Sequence, residues 1–417
     1  MTLSEELTYR GFVNQTTYKD LSVLDGEPIT FYFGVDPSAD SMQIGNLAAA
    51  MMVRHFINHG HKAVLLVGGA TGMIGDPDGK KDERNLKTLE EIAHNKAAIA
   101  GQYRQVFAGQ DFEIVDNYDW FKDLGYLQFL REVGKHVPMR QMLGRDFVQA
   151  RLGEEGSGIS YAEFSYSLIQ GYDFVHLFRE KGVSLQVCGA DQWGNSIAGV
   201  DLIRRLEGKE AHVYSVPLII NKATGKKFGK SEDGAVWLDP AKTSAYKFYQ
   251  FWLNLDDEGV EDYLKVYTLL EKEEIEHIIT KWNENRGGRL AQKTLAWEVT
   301  KLVHGEETAS SVRHITEVLF GGTAYADLTP GEFGLLAEEL PTFRFEYSNN
   351  SHEILYEILV ATGLASSKTE ARRFVDAGAV YWNGEKVTSE TNLNNFIHGA
   401  AVLRRGKNQN ALIVTGE

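Results

Sequence analysis

The run Thr30-Phe-Tyr-Phe-Gly-Val-Asp-Pro-Ser-Ala-Asp-Ser-Met-Gln-Ile-Gly-Asn46 sets how the rest of the chain is read, because it passes from an extended apolar segment straight into a helix start. Ile29–Val35 is rich in β-branched and aromatic residues, and Gly45–His59 places Leu47, Met51, Phe56 and Ile57 at helical spacing, with Gly60 as the stop. The pairing recurs. Ala63–Val67 is followed by a helical pattern at Leu89–Phe107, Phe112–Val115 by Glu163–Arg179, Ser184–Cys188 by Ser196–Leu206, and a last extended run covers Val213–Ile220. Such alternation predicts an α/β fold on a doubly wound parallel sheet, in which ligands bind beyond the carboxyl ends of the strands.

Outward from this core the pattern changes twice. From Thr243 to Val318 extended runs disappear and helical segments follow one another, at Glu261–Leu270, Lys272–Trp282 and Leu290–His304. Leu328–Asn350, with Pro330, Pro341 and Ser348-Asn-Asn, reads as a linker holding one helix, Gly331–Glu339. Beyond it, two short helices (Glu353–Thr362, Lys368–Ala377) precede short strands at Ala379–Trp382, Ala401–Leu403 and Ala411–Val414. The expected organisation is an α/β domain over 1–225, a loop and all-helical domain over 226–325, a linker over 326–350 and a small α+β module over 351–417. A length of 417 residues suits several domains.

Composition narrows the class. Hydrophobic residues at 43% and aromatics at 11% describe an ordinary folded protein and exclude a disordered one. A single cysteine, Cys188, excludes an intramolecular disulfide and points to a reducing compartment, so cytoplasmic localisation is expected. The acidic, polar start lacks the features of a secretory or transit peptide, and no apolar run approaches the ~20 residues that span a bilayer. The net charge of −15 argues at first against a nucleic-acid partner. Residues 351–417, however, carry equal numbers of acidic and basic side chains, so the whole imbalance lies in the first 350 residues.

Five constellations carry chemistry. The Tyr32–Asn46 junction offers backbone N–H groups and a helix N-terminus to an anion, although such junctions also serve packing alone. Gly68-Gly-Ala-Thr-Gly-Met-Ile-Gly-Asp-Pro-Asp-Gly-Lys-Lys-Asp-Glu-Arg84 follows a strand, fits neither dinucleotide nor Walker spacing, and brings Asp76 with the cations Lys80, Lys81 and Arg84. A solvated charged loop is its other reading. Tyr166, Gln170 and Asp173 fall at i, i+4 and i+7 of one helix, a polar stripe suited to a pocket floor or to solvent. Cys188-Gly-Ala-Asp-Gln-Trp-Gly-Asn195 places Asp191 and Gln192 at a helix start, where an N-cap is the default role for the Asp. Lys226-Lys-Phe-Gly-Lys-Ser-Glu232 sets Lys227 and Lys230 three apart on a glycine loop, able to close over a polyphosphate or simply to decorate a turn.

Taken in order and spacing, these motifs resemble the bacterial-type tyrosyl-tRNA synthetases of class I over essentially the full length. Leu302-Val-His-Gly-Glu-Glu307 supports the helical domain. Gly363-Leu-Ala-Ser-Ser-Lys-Thr-Glu-Ala-Arg-Arg373 with Asn383-Gly-Glu385 looks like an S4-type RNA-binding module. The resemblance implies tyrosine activation by ATP, transfer to tRNA(Tyr), Mg2+ entering with the ATP phosphates without a dedicated protein metal site, a homodimer through the α/β domain, and no membrane partner. It assigns Tyr32 and Asp173 to the substrate phenol, Asp76, Tyr166 and Gln170 to its α-ammonium group, and Gln192 to the carboxylate. Gly34, Asp36, Gly45, Gly189 and Asp191 would line the adenosine site. Ser38, Lys80, Arg84, Lys227, Lys230 and Ser231 would serve the departing phosphates.

One departure stands out. The family signature His-x-Gly-His reads Gln43-Ile-Gly-Asn46 here. Either the two amides keep donors where imidazoles stood, preserving catalysis without titration, or the site has decayed to a non-catalytic RNA-binding paralogue. Phe33 and Ala49 also depart, where the family often has cysteine and a hydroxyl residue. In the tail, Lys368, Arg372 and Arg373 form one basic helix face and Arg404, Arg405 and Lys407 a second cluster. Within an S4-like pattern both are expected to contact RNA.

Overall fold

Strands buried on both faces read as unbroken apolar runs, and the computed structural model shows this in β3 (Lys62–Val67), where the last five residues are all buried. The structure describes residues 1–77, 86–153, 156–231, 234–345, 352–388, 391–407 and 409–415. Before β3 come β1 (Gln15–Thr16) and β2 (Thr30–Val35), and after it β4 (Phe112–Val115), β5 (Leu185–Gly189) and β6 (His212–Val216). Their order across the sheet is β1-β6-β5-β2-β3-β4, with β2 to β6 mutually parallel and β1 an antiparallel edge. Crossovers run through the helices Ile44–Asn58, Leu89–Val106, Tyr161–Lys181 and Trp193–Glu207.

From β2 the chain winds outward one way through β3 and β4. It then returns to β5, on the other side of β2, and continues to β6. The strand order therefore reverses between β2 and β5, where diverging helices leave a crevice. The extended run expected to reach Ile220 stops at Val216, since Pro217 has no N–H to give the ladder. Four short helices between Tyr118 and Leu152 escape sequence reading, since four to seven residues are too few to show a period.

The chain divides into two compact units, residues 1–244 with 251–303, and 245–250 with 304–417. In the first, the N-terminal helix Leu3–Tyr9 is held by a buried polar cluster. The Glu6 carboxylate accepts from Arg10 Nε at 2.8 Å and lies 3.0 Å from His55 Nδ1 and 2.6 Å from His59 Nε2. Arg10 also donates to the carbonyls of Lys265, Thr268 and Leu270, satisfying oxygens left open at the end of the helix Val260–Tyr267. Helices Lys272–Glu284 and Leu290–His304 follow.

The second unit centres on a mixed five-stranded sheet. After the two-stranded ribbon of β7 (Lys230–Ser231) and β8 (Gly234–Ala235) in the first unit, its strands are β9 (Thr342–Phe345), β10 (Val380–Trp382), β11 (Glu385–Lys386), β12 (Ala400–Arg405) and β13 (Gln409–Thr415). Their order is β11-β10-β12-β13-β9. The expected linker is not one in its described part. Pro330–Glu339 is a capped helix, and β9 pairs in parallel with β13 from Thr342–Leu412 to Phe345–Thr415. Four alternating residues after a proline carried too little pattern to reveal a strand.

Both faces of this sheet are covered. Ala401, Leu403, Ala411 and Ile413 pack with Leu355, Ile358, Leu359 and Ala371 of the helices His352–Ala361 and Lys368–Asp376. Ala400, Val402 and Leu412 face the other way, onto Tyr325, Leu328, Phe333 and Leu336. Strand alternation thus separates the basic residues expected to act as one surface. Arg405 lies 4.6 Å from the Phe374 ring on the helix-covered face, near Arg372 and Arg373, whereas Arg404 stacks 4.3 Å over Tyr381 on the opposite face. Lys368 is paired with Glu357 at 2.7 Å, and Lys407 sits exposed in the β12–β13 turn.

Candidate active site

A cavity of about 530 Å³ opens over the carboxyl ends of β2 and β5. It gathers Tyr32, Gly34, Asp36, Ser38, Gln43, Gly45, Asn46, Asp76, Tyr166, Gln170, Asp173, Gly189, Asp191, Gln192 and Lys227, residues that the sequence distributes over five separate motifs. Lys80 and Arg84 lie outside the described residues. Lys230 and Ser231 are placed as backbone in β7, next to the cavity-lining Lys227-Phe-Gly229.

The floor is polar and dry. Asp173 is 1% exposed on the helix Tyr161–Lys181, and its two oxygens accept from Trp120 Nε1 at 3.0 Å and Asn117 Nδ2 at 3.1 Å. Burial pushes its carboxyl well above the usual range, against the pull of those two donors. Tyr32 is equally buried, and among the described residues its hydroxyl has no hydrogen-bond partner, nor does Gln170 Oε1. Buried polar groups that the protein leaves unpaired are paired at a gain by a ligand that reaches them.

At the other end of the stripe Tyr166 donates to Asp36 Oδ2 at 2.7 Å, so the residue expected at the amino group is here tied to one expected at the nucleotide. Asp76 accepts from Gln192 Nε2, whose own oxygen takes the Asn195 amide at 3.2 Å. Burial, followed by the neighbouring Asp36 and Asp76, holds the Tyr166 phenol well above its ordinary pKa, so it remains a donor. Four carboxyl groups and one amine, Lys227, make up the charged lining among the described residues. The lining is thus acidic, suiting an ammonium group.

The helix Ile44–Asn58 points its N-terminus at this cavity. Gln43 N–H donates to Asn46 Oδ1 at 3.0 Å, which commits that oxygen and leaves the Asn46 amide nitrogen as the free donor. Backbone bonds from Ile44 N to Val236 O (3.1 Å) and Leu238 N to Met42 O (2.9 Å) lace this helix start to the chain that follows the lysine loop. Gly189 has a local reason: a Cβ there would stand 2.6 Å from Asp191 Oδ1. Gly69 has another, since a Cβ would lie 2.4 Å from Asp116 Oδ1, which accepts the Gly69 N–H.

Sequence reasoning missed three members. Gln186, 2% exposed and with Oε1 unpartnered, pairs in register with Tyr32, so both point to the same side of the sheet. A lone amide inside Leu185-Gln-Val-Cys188 was the available signal. Asn117 and Trp120 lie just past the carboxyl end of β4, where the strand-end rule applies equally. No group of three His, Cys, Asp or Glu among the described residues is arranged to hold a metal ion, and no helix among them is long and apolar enough to cross a membrane.

Comparison with known proteins gives concordant results. Residues 24–321 match the model of the class I tRNA synthetases (W and Y), and residues 332–413 match the tyrosine–tRNA ligase SYY-like C-terminal domain. Tyrosine–tRNA ligase 2 of Bacillus cereus is 43% identical over 100% of both chains, and tyrosine–tRNA ligase of Geobacillus kaustophilus 44% identical over 99% of each. Among solved structures, the C-terminally truncated mitochondrial tyrosyl-tRNA synthetase of Aspergillus nidulans superposes with a TM-score of 0.69 at 29% identity, covering 76% of this chain and 94% of its own.

Proposed function

The chain belongs to the class I tyrosyl-tRNA synthetases, and from that footing we propose how its cavity activates tyrosine for transfer to tRNA(Tyr). The carrying observation is the pair of separated polar ends: the buried Tyr32 with Asp173 at one, and the buried Tyr166 with the half-buried Asp76 and Gln170 at the other. A tyrosine laid between them places its phenol on Asp173 and Tyr32 and its ammonium group among Asp76, Tyr166 and Gln170, with Gln192 beside the carboxylate. Phenylalanine would leave the first pair unpaired, which is how such a site discriminates. Discrimination of tyrosine from phenylalanine by tyrosyl-tRNA synthetases is a known instance of this effect.

ATP would bind with its adenosine along Gly34, Asp36, Gly45, Gly189 and Asp191. Ser38 and the cations Lys80, Arg84, Lys227 and Lys230, with Ser231, would take the β- and γ-phosphates, and Mg2+ would enter on the phosphate oxygens without a dedicated protein site. The tyrosine carboxylate, already ionised at neutral pH, attacks the α-phosphorus. The bond to the bridging oxygen breaks and pyrophosphate leaves, giving tyrosyl-adenylate. A ribose hydroxyl at the tRNA 3′ end then attacks the carbonyl and AMP departs. Catalysis consists of positioning and charge stabilisation, with Gln43 and Asn46 supplying amide donors where relatives of the His-x-Gly-His pattern present imidazoles.

The second unit would hold the tRNA through Arg372, Arg373, Arg404, Arg405 and Lys407, with Lys368 at the margin. Cytoplasmic residence and pairing of two copies through the α/β domain complete the reading. The first is supported by the lone, buried Cys188, the second by apolar side chains exposed between Tyr126 and Tyr161. Tyrosine-dependent ATP–pyrophosphate exchange tests the activity. It is expected with the unmodified chain and lost in Asp173→Ala and in Lys230→Ala; no exchange with any amino acid would leave an RNA-binding protein without catalysis.

A further inference from the structure

His176 lies three residues after Asp173 on the helix Tyr161–Lys181, so the two side chains share a helix face about one turn apart. Both meet the same partner. Trp120 gives its Nε1–H to Asp173 Oδ1 at 3.0 Å, and the His176 imidazole stacks on its indole with ring centres 4.3 Å apart and planes 18° from parallel. One helix thus grips the indole twice, by its edge and by its face.

Trp120 depends on that grip. It belongs to the four-residue helix Tyr118–Phe121, none of whose residues is buried, and so short a helix is marginal on its own. The plane of its ring is therefore set from outside, and Nε1 lies on the ring edge, which moves most when the plane tilts. A hydrogen bond weakens steeply as its angle closes. An aliphatic side chain at 176 would fill the space without fixing a plane, whereas stacked rings prefer a defined mutual orientation. Tyr172, four residues before His176, backs the imidazole with ring centres 6.5 Å apart and is itself packed by Phe121 at 5.6 Å. Burial pushes the His176 imidazole below its ordinary pKa, against the nearby Glu180 carboxylate, so at neutral pH the stack joins two uncharged rings.

We propose that His176 is a positioning residue for tyrosine specificity: its ring holds the Trp120 indole in the plane from which Nε1 fixes Asp173 Oδ1, and so orients the carboxyl group that meets the substrate phenol. This role rests on the reading of Asp173 as the partner of the phenol. Asn117 fixes the other oxygen, so a tilted indole leaves the carboxyl group held at one side only. Phenylalanine has no hydroxyl to sense that orientation, and the loss of the stack therefore falls on tyrosine alone.

Equilibrium dialysis of labelled tyrosine against the full chain at neutral pH, with phenylalanine as competitor, measures both affinities. His176→Leu is expected to raise the Kd for tyrosine about 10-fold and to leave that for phenylalanine within about two-fold, the latter reporting an intact cavity. His176→Phe, which keeps an uncharged ring, is expected to restore tyrosine binding. Trp120→Phe should weaken tyrosine binding by a similar factor, and His176→Leu added to it should cost no more, because the imidazole acts only through the indole N–H. An unchanged Kd for tyrosine in His176→Leu, equal losses for the two amino acids, or full additivity with Trp120→Phe refutes the role. Where Asp173→Ala still weakens tyrosine selectively, the phenol assignment survives that refutation. If Asp173→Ala affects both amino acids alike, the assignment falls and the role of His176 falls with it.

Discussion

Asn117 donates to Asp173 Oδ2 across 3.1 Å while its own oxygen accepts the Ala70 N–H, so the loop after β4 and the helix start after β3 together aim the buried carboxyl group of the cavity floor. The same Asn117 nitrogen reaches Thr71 Oγ1 at 3.1 Å. Asn117→Ala removes this alignment without touching any ligand atom. It is expected to lower kcat/KM for tyrosine by about 10- to 100-fold, the cost of leaving one buried acceptor unpaired, with the KM for ATP unchanged. Steady-state exchange kinetics with each substrate varied separately check it.

The amides at Gln43 and Asn46 do not titrate, and no imidazole lines the cavity among the described residues. Exchange should therefore lack an inflection between pH 6 and 8 that an imidazole donor would impose. Asn46→His is expected to introduce one near 6.5, the ordinary histidine value. At pH 8, Gln43→His and Asn46→His should alter the rate only modestly, since a donor remains; a large rescue of an inactive chain would show a decayed site.

Burial alone would raise the Glu6 carboxyl, yet hydrogen bonds with His55, His59 and Arg10 outweigh it and hold the group well below its ordinary value. A depressed carboxyl contributes stability above the ordinary carboxylate pKa and loses it as pH falls below. His55, pushed down by burial, works in the same direction from about pH 6.5 downward. Glu6→Gln is expected to cost about 3 kcal/mol at pH 7. Urea midpoints measured at pH 7 and pH 4 should fall less in the variant than in the parent chain.

Cys188 lines the candidate cavity with its thiol pushed up to about 12 by burial, opposed by its contact with Ser196. At pH 8 roughly one thiol in 10⁴ is ionised, against about one in four for an exposed cysteine. Alkylation by iodoacetamide, followed by mass spectrometry, should be more than 10³-fold slower than for a free thiol. Fast labelling would mean the cavity opens widely in solution.

Leu127 is 79% exposed, and Tyr126, Met139, Leu152 and Tyr161 are exposed within the same 36-residue stretch. The pairing of two copies proposed above would cover these side chains. Sedimentation should find a dimer for the parent chain and a shift towards monomer for Leu127→Glu.

The first unit was legible because parallel strands are buried on both faces, so β2, β3, β4 and β5 and their crossover helices emerge from the sequence within a residue or two at most ends. Most of the cavity's lining was legible too, from the residues that follow the strand ends and from the polar stripe Tyr166, Gln170 and Asp173 on one helix. Asn117 and Gln186 were not: each is a single polar residue whose meaning depends on a partner from another element. The same limit hid the separation of Arg404 from Arg405. Their adjacency in sequence suggested one patch, and only the layers packed on each side of β12 show which side is which. The edge strand β9 remained invisible because its pairing partner lies about 70 residues further along.

That edge strand relocates the place where the protein can be cut. Phe345 belongs to the apolar layer beneath the helices of residues 352–376, and Ile315, Leu319, Leu328, Phe333 and Leu336 to the layer on the far side of the sheet. A fragment begun at residue 351 would expose β13 as a raw edge and strip both a strand and a whole covering layer from the hydrophobic core. The compact unit joins residues 304–417 to 245–250, so even a fragment begun at 304, some 45 residues before the point at which the composition turns from acidic to neutral, would lose Tyr246 from its core.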